Sequence, residues 1–283
     1  MSTPALLNIA SYRFVPLDDL PALRQRLLDR AEAGALKGTV LLAEEGINFC
    51  LAGPAEGVAD WLAWLETDPR LAGLQPKRSW SPSQPFKRLK VKIKREIIRM
   101  GQPAIQPTQG RAPALPAATL AHWLAQGHCD EGRPLKLLDT RNDFEVDAGA
   151  FEGAVDWRLR RFSDFPAALA AHRHALAGHT VVSYCTGGIR CEKAALAMQA
   201  TGLAHSWQLE GGILKYFEDT GGQAPGWRGQ CFVFDERVAL DTGLQATASD
   251  AASDAGLAAG LAVDAASASG AVAVAASCSK TLA

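Results

Sequence analysis

The segment Val-Val-Ser-Tyr-Cys-Thr-Gly-Gly-Ile-Arg-Cys-Glu-Lys-Ala at residues 181–194 constrains the fold of this chain most strongly. An apolar run ends at Cys185, a glycine pair follows, and helix-forming residues continue from Glu192. This order predicts a strand, a tight loop and a helix. Such a loop turns backbone N–H groups inward at a helix N-terminus, where partial positive charge favours an anion. We therefore expect Cys185 to ionise more readily than a free cysteine, whose pKa is about 8.5, and to be the nucleophile.

Short apolar strands and helices alternate around this segment. Strands are predicted at residues 135–139, 180–184 and 205–209, and helices at 117–126, 165–176 and 192–201. Continuously apolar strands separated by helices indicate a parallel sheet that is covered on both faces. In such folds the sites form beyond the carboxyl ends of the strands, where Cys185 lies.

The first hundred residues have a different pattern. Strands are predicted at residues 6–14, 38–43, 47–52 and 88–95. Asp18 and Asp19 can cap one helix, and Pro54 begins another. The resulting order βαββαβ is that of a ferredoxin-like module.

Two segments between and after these blocks have the composition of connections. Residues 101–116 contain six of the chain's glycines and prolines, which neither a long helix nor an inner strand tolerates. After residue 240 the chain is almost entirely small and polar. We therefore predict an α/β chain with a ferredoxin-like domain at residues 1–100, a linker at 101–116, a parallel-sheet domain at 117–240 and a disordered Ala/Ser-rich tail at 241–283.

Overall composition excludes several classes of protein. With 29 basic and 30 acidic residues among 283, the net charge does not indicate a partner. The six cysteines lack the regular spacing of a secreted disulfide framework. The N-terminus has no basic and apolar signal segment, and no apolar run approaches the roughly 20 residues that span a bilayer. We expect a cytoplasmic protein with no membrane contact.

Charge is concentrated in one short segment. In a strand over residues 88–95, alternate lysines share one face, while Leu89, Val91 and Ile93 pack inward. Such a stripe attracts a phosphate backbone, and the nearby Trp80 and Phe86 offer stacking surfaces for RNA bases. The alternative is an edge strand that lysines protect from aggregation. The predicted RNA-binding residues are Lys87, Arg88, Lys90, Lys92, Lys94 and Arg95.

The Cys185 loop resembles the active-site loop of the rhodanese superfamily, Cys-x-x-Gly-x-Arg, at Cys185, Gly188 and Arg190. Four residues separate the cysteine from the arginine, whereas Cys-x5-Arg phosphatases have one more, so we rank phosphatase chemistry low. The resemblance makes residues 117–240 a rhodanese-like domain. It also makes the loop residues Thr186, Gly187, Gly188, Ile189 and Arg190 part of the active site.

A second element supports this assignment. Rhodanese-like domains have a similar Asp-x-Arg element, here Asp139 and Arg141 at the end of a strand. We expect the two side chains to brace the loops around the site through charge-assisted hydrogen bonds. The alternative is an ordinary surface ion pair.

The second thiol of the loop, Cys191, has three possible roles. It can form a disulfide with Cys185, act as a reserve sulfur acceptor, or be a small supporting residue in the core, which we favour. The remaining cysteines Cys50, Cys129, Cys231 and Cys278 have no metal-ligand spacing, and no histidine lies in a ligand motif. No metal site is therefore predicted.

Taken together, the motifs resemble those of the rhodanese-domain tRNA uridine hydroxylases, which form 5-hydroxyuridine at wobble position 34 using dioxygen. The resemblance extends over residues 5–240, and the cysteine-rich extension of many members is replaced here by the Ala/Ser tail. The segments that carry it, in chain order, are residues 38–48, the basic strand, 139–145, 185–193, 209–213 and 231–237.

The resemblance implies an oxidoreductase that binds the tRNA anticodon loop, with the base extruded toward the second domain. Dioxygen would be the co-substrate, and no flavin, haem or iron motif is evident as an electron source. Our hypothesis is that the Cys185 thiolate adds to uracil C6, while Arg190 and the loop N–H groups stabilise negative charge. The leading alternative is a sulfurtransferase with a persulfide on Cys185, and the third is a noncatalytic RNA-binding protein.

Overall fold

Two five-stranded sheets organise residues 5–247, the part of the chain that the computed structural model describes. The first domain contains the helices α1 (Leu20–Ala33) and α2 (Ala55–Leu65). Its strands are β1 (Leu6–Phe14), β2 (Lys37–Ala43), β3 (Gly46–Gly53), β4 (Lys77–Ser81) and β5 (Leu89–Ile93).

The first sheet has the strand order β4-β1-β3-β2-β5. Strand β1 pairs antiparallel with β3 and β4, and β2 pairs antiparallel with β3. The first four strands and the two helices therefore form the ferredoxin-like arrangement, which confirms the predicted fold class.

The strand predicted at residues 88–95 is present as β5, but it is not the fourth strand of the module. Residues 77–81 supply the fourth strand of the module, and the basic segment instead forms β5, which pairs parallel with β2 at the sheet edge. The sequence Lys-Arg-Ser-Trp-Ser has no apolar alternation, so nothing in it indicates a strand. At the end of β5 the side chain of Ile93 is 41% exposed, although we expected it to pack inward.

One face of this sheet forms the core of the first domain. The alternating residues Val40, Leu42, Phe49 and Leu51 are buried against the two helices. Phe49 meets Trp61 of α2 edge to face, with ring centroids 5.0 Å apart. The opposite face of the sheet is therefore left for contacts with the rest of the chain.

The second domain contains the helices α3 (Ala117–Gln126), α4 (Asp143–Ala148), α5 (Phe165–His172), α6 (Ile189–Ala200) and α7 (Gly212–Asp219). Its main strands are β6 (Ala114–Leu115), β7 (Leu135–Asp139), β9 (Val155–Asp156), β10 (Thr180–Tyr184) and β11 (Ser206–Leu209). Two short antiparallel ladders are added by β8 (Gly149–Phe151), β12 (Trp227–Gly229), β13 (Cys231–Phe232) and β14 (Ala239–Leu240). Two 3-10 helices cover Phe162–Asp164 and Arg173–Leu176.

The main sheet of this domain has the order β6-β11-β10-β7-β9, and every neighbouring pair is parallel. This confirms the parallel sheet expected from the apolar strands. The central strand β10 is buried throughout and ends directly before Cys185. The nucleophile predicted from the sequence therefore lies at the carboxyl end of the sheet.

The predicted linker at residues 101–116 is partly built into the second domain. Its last residues form β6, and Ala112 and Leu115 are each 2% exposed. A two-residue edge strand has no readable period, so the prolines around it dominate the sequence pattern. Of the predicted tail, residues 241–247 form a turn in which the Asp241 N–H donates to Gln245 O at 3.0 Å, and residues 248–283 lie outside the described residues.

The first turn of α6 joins the two domains. Lys193 is 1% exposed, and its Nζ lies 2.8 Å from carboxylate oxygens of both Glu45 and Glu96. The preceding residue, Glu192, accepts a hydrogen bond from Tyr12 Oη at 2.8 Å and pairs with Arg111 Nε at 2.8 Å. The helix that follows the Cys185 loop is thereby fixed against the first sheet.

Replacement of this buried cation tests the junction. We expect Lys193→Met to lower the free energy of unfolding by about 3 kcal/mol, because two partly buried carboxylates lose their partner. Lys215→Met is the control, because it removes the more exposed Lys215–Asp219 pair. It should change the free energy of unfolding by less than about 0.5 kcal/mol. Urea denaturation of both variants at pH 7 measures the difference.

The stability difference between the wild type and Lys193→Met should depend on pH. Burial opposes ionisation of Glu96, but Lys193 and the N–H groups of Met100 and Gly101 outweigh it and lower its pKa. The stabilisation is therefore present above the ordinary glutamate pKa of about 4.3 and is lost as the pH falls through the lowered value. A wild-type advantage that persists unchanged at pH 3 would contradict this assignment.

Candidate active site

The Cys185 loop is held closely by its own backbone and by the start of α7. Gly188 has φ 99° at the N-cap of α6, and its N–H donates to Cys185 Sγ at 3.1 Å. The Ile213 N–H donates to Cys185 O at 3.0 Å. A Cβ on Gly212 would lie 2.3 Å from that same carbonyl oxygen, so only glycine allows this approach. The thiol is consequently aimed into the loop.

The environment of Cys185 favours its ionised form. Burial alone would raise the pKa of this thiol, which has no exposed surface. A hydrogen bond from the Cys191 thiol, the charge of Arg190 and the N–H groups of residues 190 and 191 outweigh burial and lower the pKa. The thiolate is therefore the favoured state of Cys185, as a nucleophile requires.

The neighbouring Cys191 is shifted in the opposite direction. Burial and the hydrogen bond with Cys185 raise the pKa of Cys191. Its Sγ lies 2.9 Å from Gly188 O, so the protonated thiol has a backbone acceptor as well. Both cysteines are free thiols in the structure. Cys191 has the position of a hydrogen-bond donor that supports the thiolate.

A buried carboxylate orients the arginine of the loop. Arg190 donates to both oxygens of Glu145, at 2.5 and 2.7 Å, and the side chain of Glu145 is fully buried. Burial opposes ionisation of Glu145, but the charge of Arg190 outweighs it and lowers the pKa. The Thr186 hydroxyl donates to the same carboxylate at 3.2 Å. The sequence analysis did not select Glu145, whose only signal is its place four residues after Arg141.

Asp139 and Arg141 form a second buried pair beneath the loop. Arg141 donates to the two Asp139 oxygens at 2.9 and 2.6 Å, and both side chains are fully buried. Arg141 also donates to Glu145 O at 3.1 Å and to Gly149 O at 2.6 Å. The surface ion pair considered as an alternative is therefore wrong. The pair connects the end of β7 to α4, which carries Glu145.

Two residues of the first domain reach the loop and were missed by the sequence analysis. Lys77 Nζ donates to Gly187 O at 2.9 Å. A Cβ on Gly188 would lie 3.2 Å from Tyr12 Oη, which donates to Glu192. Both side chains lie on the sheet face opposite the helices, since Lys77 pairs with Ala10 in β1. Neither stands in a motif, so only the strand pairing could have indicated them.

The basic segment lies at the edge of the same sheet. Lys87, Arg88 and Arg95 are exposed, whereas Lys90, Lys92 and Lys94 are half-buried. The register pairs Lys90 with Thr39 and Lys92 with Leu41. These two lysines therefore share the sheet face on which Tyr12 and Lys77 lie. The segment therefore lies on the sheet face from which Lys77 contacts the Cys185 loop.

Within residues 5–247, no group of three or more His, Cys, Asp or Glu side chains has a metal-binding arrangement. Likewise, none of the helices in the same range is sufficiently long and apolar to cross a membrane.

Comparison with sequence families assigns both domains. Residues 6–97 match the family described as the UPF0176 acylphosphatase like domain, and residues 120–219 match the Rhodanese-like domain. The second match confirms the rhodanese domain expected from the loop.

Three proteins that are similar to most of this chain are each named tRNA uridine(34) hydroxylase. A tRNA uridine(34) hydroxylase of Bordetella petrii is 65% identical over 241 residues, which cover 85% of this chain and 95% of that protein. Proteins of the same name from Delftia acidovorans and Variovorax paradoxus are 60% and 59% identical, covering 86% and 88% of this chain and 91% and 94% of theirs.

The lowered pKa of Cys185 can be measured directly. The absorbance of the Cys185 thiolate near 240 nm is the difference between the wild type and Cys185→Ser. We expect this difference to titrate with a midpoint below the free-cysteine pKa of about 8.5. Arg190→Gln should raise that midpoint, because the nearby positive charge is removed. Cys231→Ala is the matched control, since burial raises the pKa of Cys231 to about 12 and its loss should not alter the absorbance at pH 7. A midpoint at or above 8.5 for Cys185 would contradict the assignment.

Proposed function

The chain belongs to the family of tRNA uridine(34) hydroxylases, and on that premise we propose that it converts uridine 34 of tRNA to 5-hydroxyuridine with dioxygen and Cys185 as the nucleophile. The observation that carries the proposal is a buried cysteine stabilised as a thiolate by Gly188 N–H and Arg190, within a chain of this similarity. Wobble uridine lies in a single-stranded loop, so its extrusion costs little.

The chemistry begins with addition of the Cys185 thiolate to uracil C6. The S–C6 bond forms, and the π pair of the C5–C6 double bond moves toward C5 and the C4 carbonyl oxygen. C5 is then electron-rich and bonds to an oxygen atom derived from dioxygen. Two electrons and two protons from an external reductant convert the other oxygen atom to water. Loss of the C5 proton and departure of the thiolate from C6 restore the double bond.

The buried network supports this step by keeping the charges in place. Arg190 is held by Glu145 and also lies beside Cys185, so its guanidinium remains oriented while negative charge leaves the sulfur. Because these groups are already positioned, no reorganisation is needed during the addition. The Gly188 N–H that donates to the thiolate has the same role.

The base reaches Cys185 from one side. Cys185 and Gly188 are buried, whereas Thr186, Gly187 and Ile189 are half-buried and form the solvent side of the loop. Entry of uracil therefore displaces contacts at Gly187 rather than at the buried ion pairs. The bound tRNA would lie along the first domain, on the basic segment of β5, and tRNA as substrate makes the cytoplasm the expected compartment.

The role of Cys185 is tested by nucleoside mass spectrometry of tRNA. In a strain with no other route to the nucleoside, we expect Cys185→Ala to abolish 5-hydroxyuridine, because the nucleophile is lost. Cys129→Ala is the matched control, since Cys129 is a buried thiol hydrogen-bonded to Thr180 outside the loop, and it should retain wild-type levels. Normal 5-hydroxyuridine in the Cys185→Ala strain would exclude the proposed chemistry.

The sulfurtransferase alternative uses the same ionised thiol, so it is tested on the same variants. A persulfide mechanism predicts transfer of sulfur from thiosulfate to cyanide by the wild type and its loss in Cys185→Ala. Efficient transfer together with unchanged tRNA hydroxylation after gene deletion would favour that alternative.

The proposed RNA-binding segment is tested by salt-dependent binding. Arg88 is exposed next to β5, and we expect Arg88→Glu to weaken tRNA binding and to reduce the slope of log K against log salt by about 1. Arg173→Glu makes the same charge change at an exposed site of the second domain and should leave the slope unchanged. Equal effects of the two substitutions would assign the change to net charge instead of a contact.

A further inference from the structure

Lys77 brings a positive charge from the first sheet to the Cys185 loop. Its Nζ donates to Gly187 O at 2.9 Å, and the next residue, Gly188, donates to Cys185 Sγ at 3.1 Å. Within residues 5–247, this is the one hydrogen bond of the Lys77 ammonium, which has three N–H donors. Two donors therefore remain for another partner beside the loop.

The position of Lys77 is on the side from which the loop is accessible. Lys77 and Gly187 are half-buried, whereas Cys185 and Gly188 are fully covered. Burial lowers the pKa of the Lys77 ammonium, and the negative charge of the Cys185 thiolate opposes that shift, so the thiolate lies within electrostatic range of Lys77. A base that approaches Cys185 past Gly187 meets Lys77 first.

One row of paired residues connects Lys77 to the basic segment. Lys90 pairs with Thr39, Thr39 with Cys50, Cys50 with Ala10, and Ala10 with Lys77. Paired side chains share a face, and at about 4.8 Å between strands the row extends roughly 19 Å across the sheet. It runs from the proposed RNA-binding edge to the Cys185 loop.

The middle of this row is open to solvent at Cys50, which is exposed. The segment after β13 lies beside the row, because Arg237 donates to Ser79 Oγ at 2.7 Å and Ser79 shares the sheet face of Lys77.

We propose that Lys77 is a catalytic residue that donates a hydrogen bond to uracil O4 and stabilises the negative charge that Cys185 addition places there. The inference rests on the proposed function, because it assigns a role in the same addition step. It makes the active site a composite, in which the rhodanese domain supplies the nucleophile and the first domain supplies the cation for the substrate oxygen.

Charge balance during the addition supports this assignment. Before addition, the negative charge is on Cys185 sulfur, and the Lys77 ammonium interacts favourably with it. When the S–C6 bond forms, sulfur becomes neutral, and the displaced π pair makes O4 of the enolate negative. No electron or proton enters from outside in this step. Arg190 remains paired with Glu145, so Lys77 is the cation with donors available to follow the charge to O4.

A purely structural role for Lys77 makes a different prediction. If the side chain served only to hold Gly187 O, a neutral donor of similar length would suffice. Lys77→Gln keeps an N–H donor and removes the charge, whereas Lys77→Arg keeps the charge. Arg78→Met is the matched control, because Arg78 is exposed on the opposite face of the same strand.

The test measures adduct formation, which needs neither dioxygen nor a reductant. The full chain is incubated anaerobically with an anticodon stem-loop that contains 5-fluorouridine at position 34, and the covalent protein–RNA adduct is quantified over time. We expect Lys77→Gln to slow the adduct rate at saturating RNA about 100-fold, the typical effect of removing one oxyanion donor. RNA affinity should change less than about threefold, Lys77→Arg should restore at least a tenth of the rate, and Arg78→Met should match the wild type.

The outcomes separate this inference from the proposed function. An adduct that forms in the wild type, is absent in Cys185→Ser and forms at the wild-type rate in Lys77→Gln overturns the role of Lys77 alone. A wild type that forms no Cys185 adduct overturns the addition mechanism and the Lys77 role with it. A Lys77→Arg variant as slow as Lys77→Gln, with an unchanged melting temperature, also contradicts a role based on charge.

Discussion

The buried pair between Arg190 and Glu145 is the interaction on which the rest of the site depends. Two ions removed from water carry a desolvation cost that only good geometry and further hydrogen bonds can offset. Here the guanidinium meets both carboxylate oxygens, and the carboxylate also accepts from Thr186 and from the Asn142 N–H at 3.0 Å. These hydrogen bonds offset the desolvation cost of the Arg190–Glu145 pair, and they fix both the loop and α4. The consequence is an arginine that lies beside Cys185 without being able to neutralise it fully.

The same loop also determines how the two domains are joined. Residues 185–190 form the site, and Glu192 and Lys193, which follow Cys191, make the buried contacts with Tyr12, Glu45 and Glu96. Because these positions belong to the first turn of α6, the orientation of the helix sets both the loop and the interface. The first sheet is thereby held with Lys77 at Gly187. We therefore expect a substitution in the domain junction to alter the environment of the Cys185 thiol, although the junction and the loop are formed by different side chains.

The strongly periodic parts of the fold were predictable from the sequence, and the parts made by pairing were not. The apolar run before Cys185 and the glycine pair after it define strand, loop and helix locally, so the loop and the parallel sheet were found. Strand β4, Lys-Arg-Ser-Trp-Ser, is polar and forms because β1 offers an unpaired edge. Lys77 was missed for the same reason, since its position follows from register with Ala10. Glu145 was missed because a helix residue gains a role as an ion-pair partner only through tertiary contact with Arg190.

The two thiols of the loop illustrate how one environment can produce opposite protonation states. Both are fully buried, so desolvation disfavours a charge on either. Cys185 accepts the Gly188 N–H and lies beside the positive charge of Arg190, so it is the thiol that ionises. The negative charge of the Cys185 thiolate then raises the pKa of Cys191 further. The Cys191 proton then has two acceptors, the Cys185 sulfur and Gly188 O at 2.9 Å. When Cys185 forms a covalent bond and loses its charge, the carbonyl remains as the better acceptor. Cys191 can therefore support both states of its neighbour without giving up its own proton.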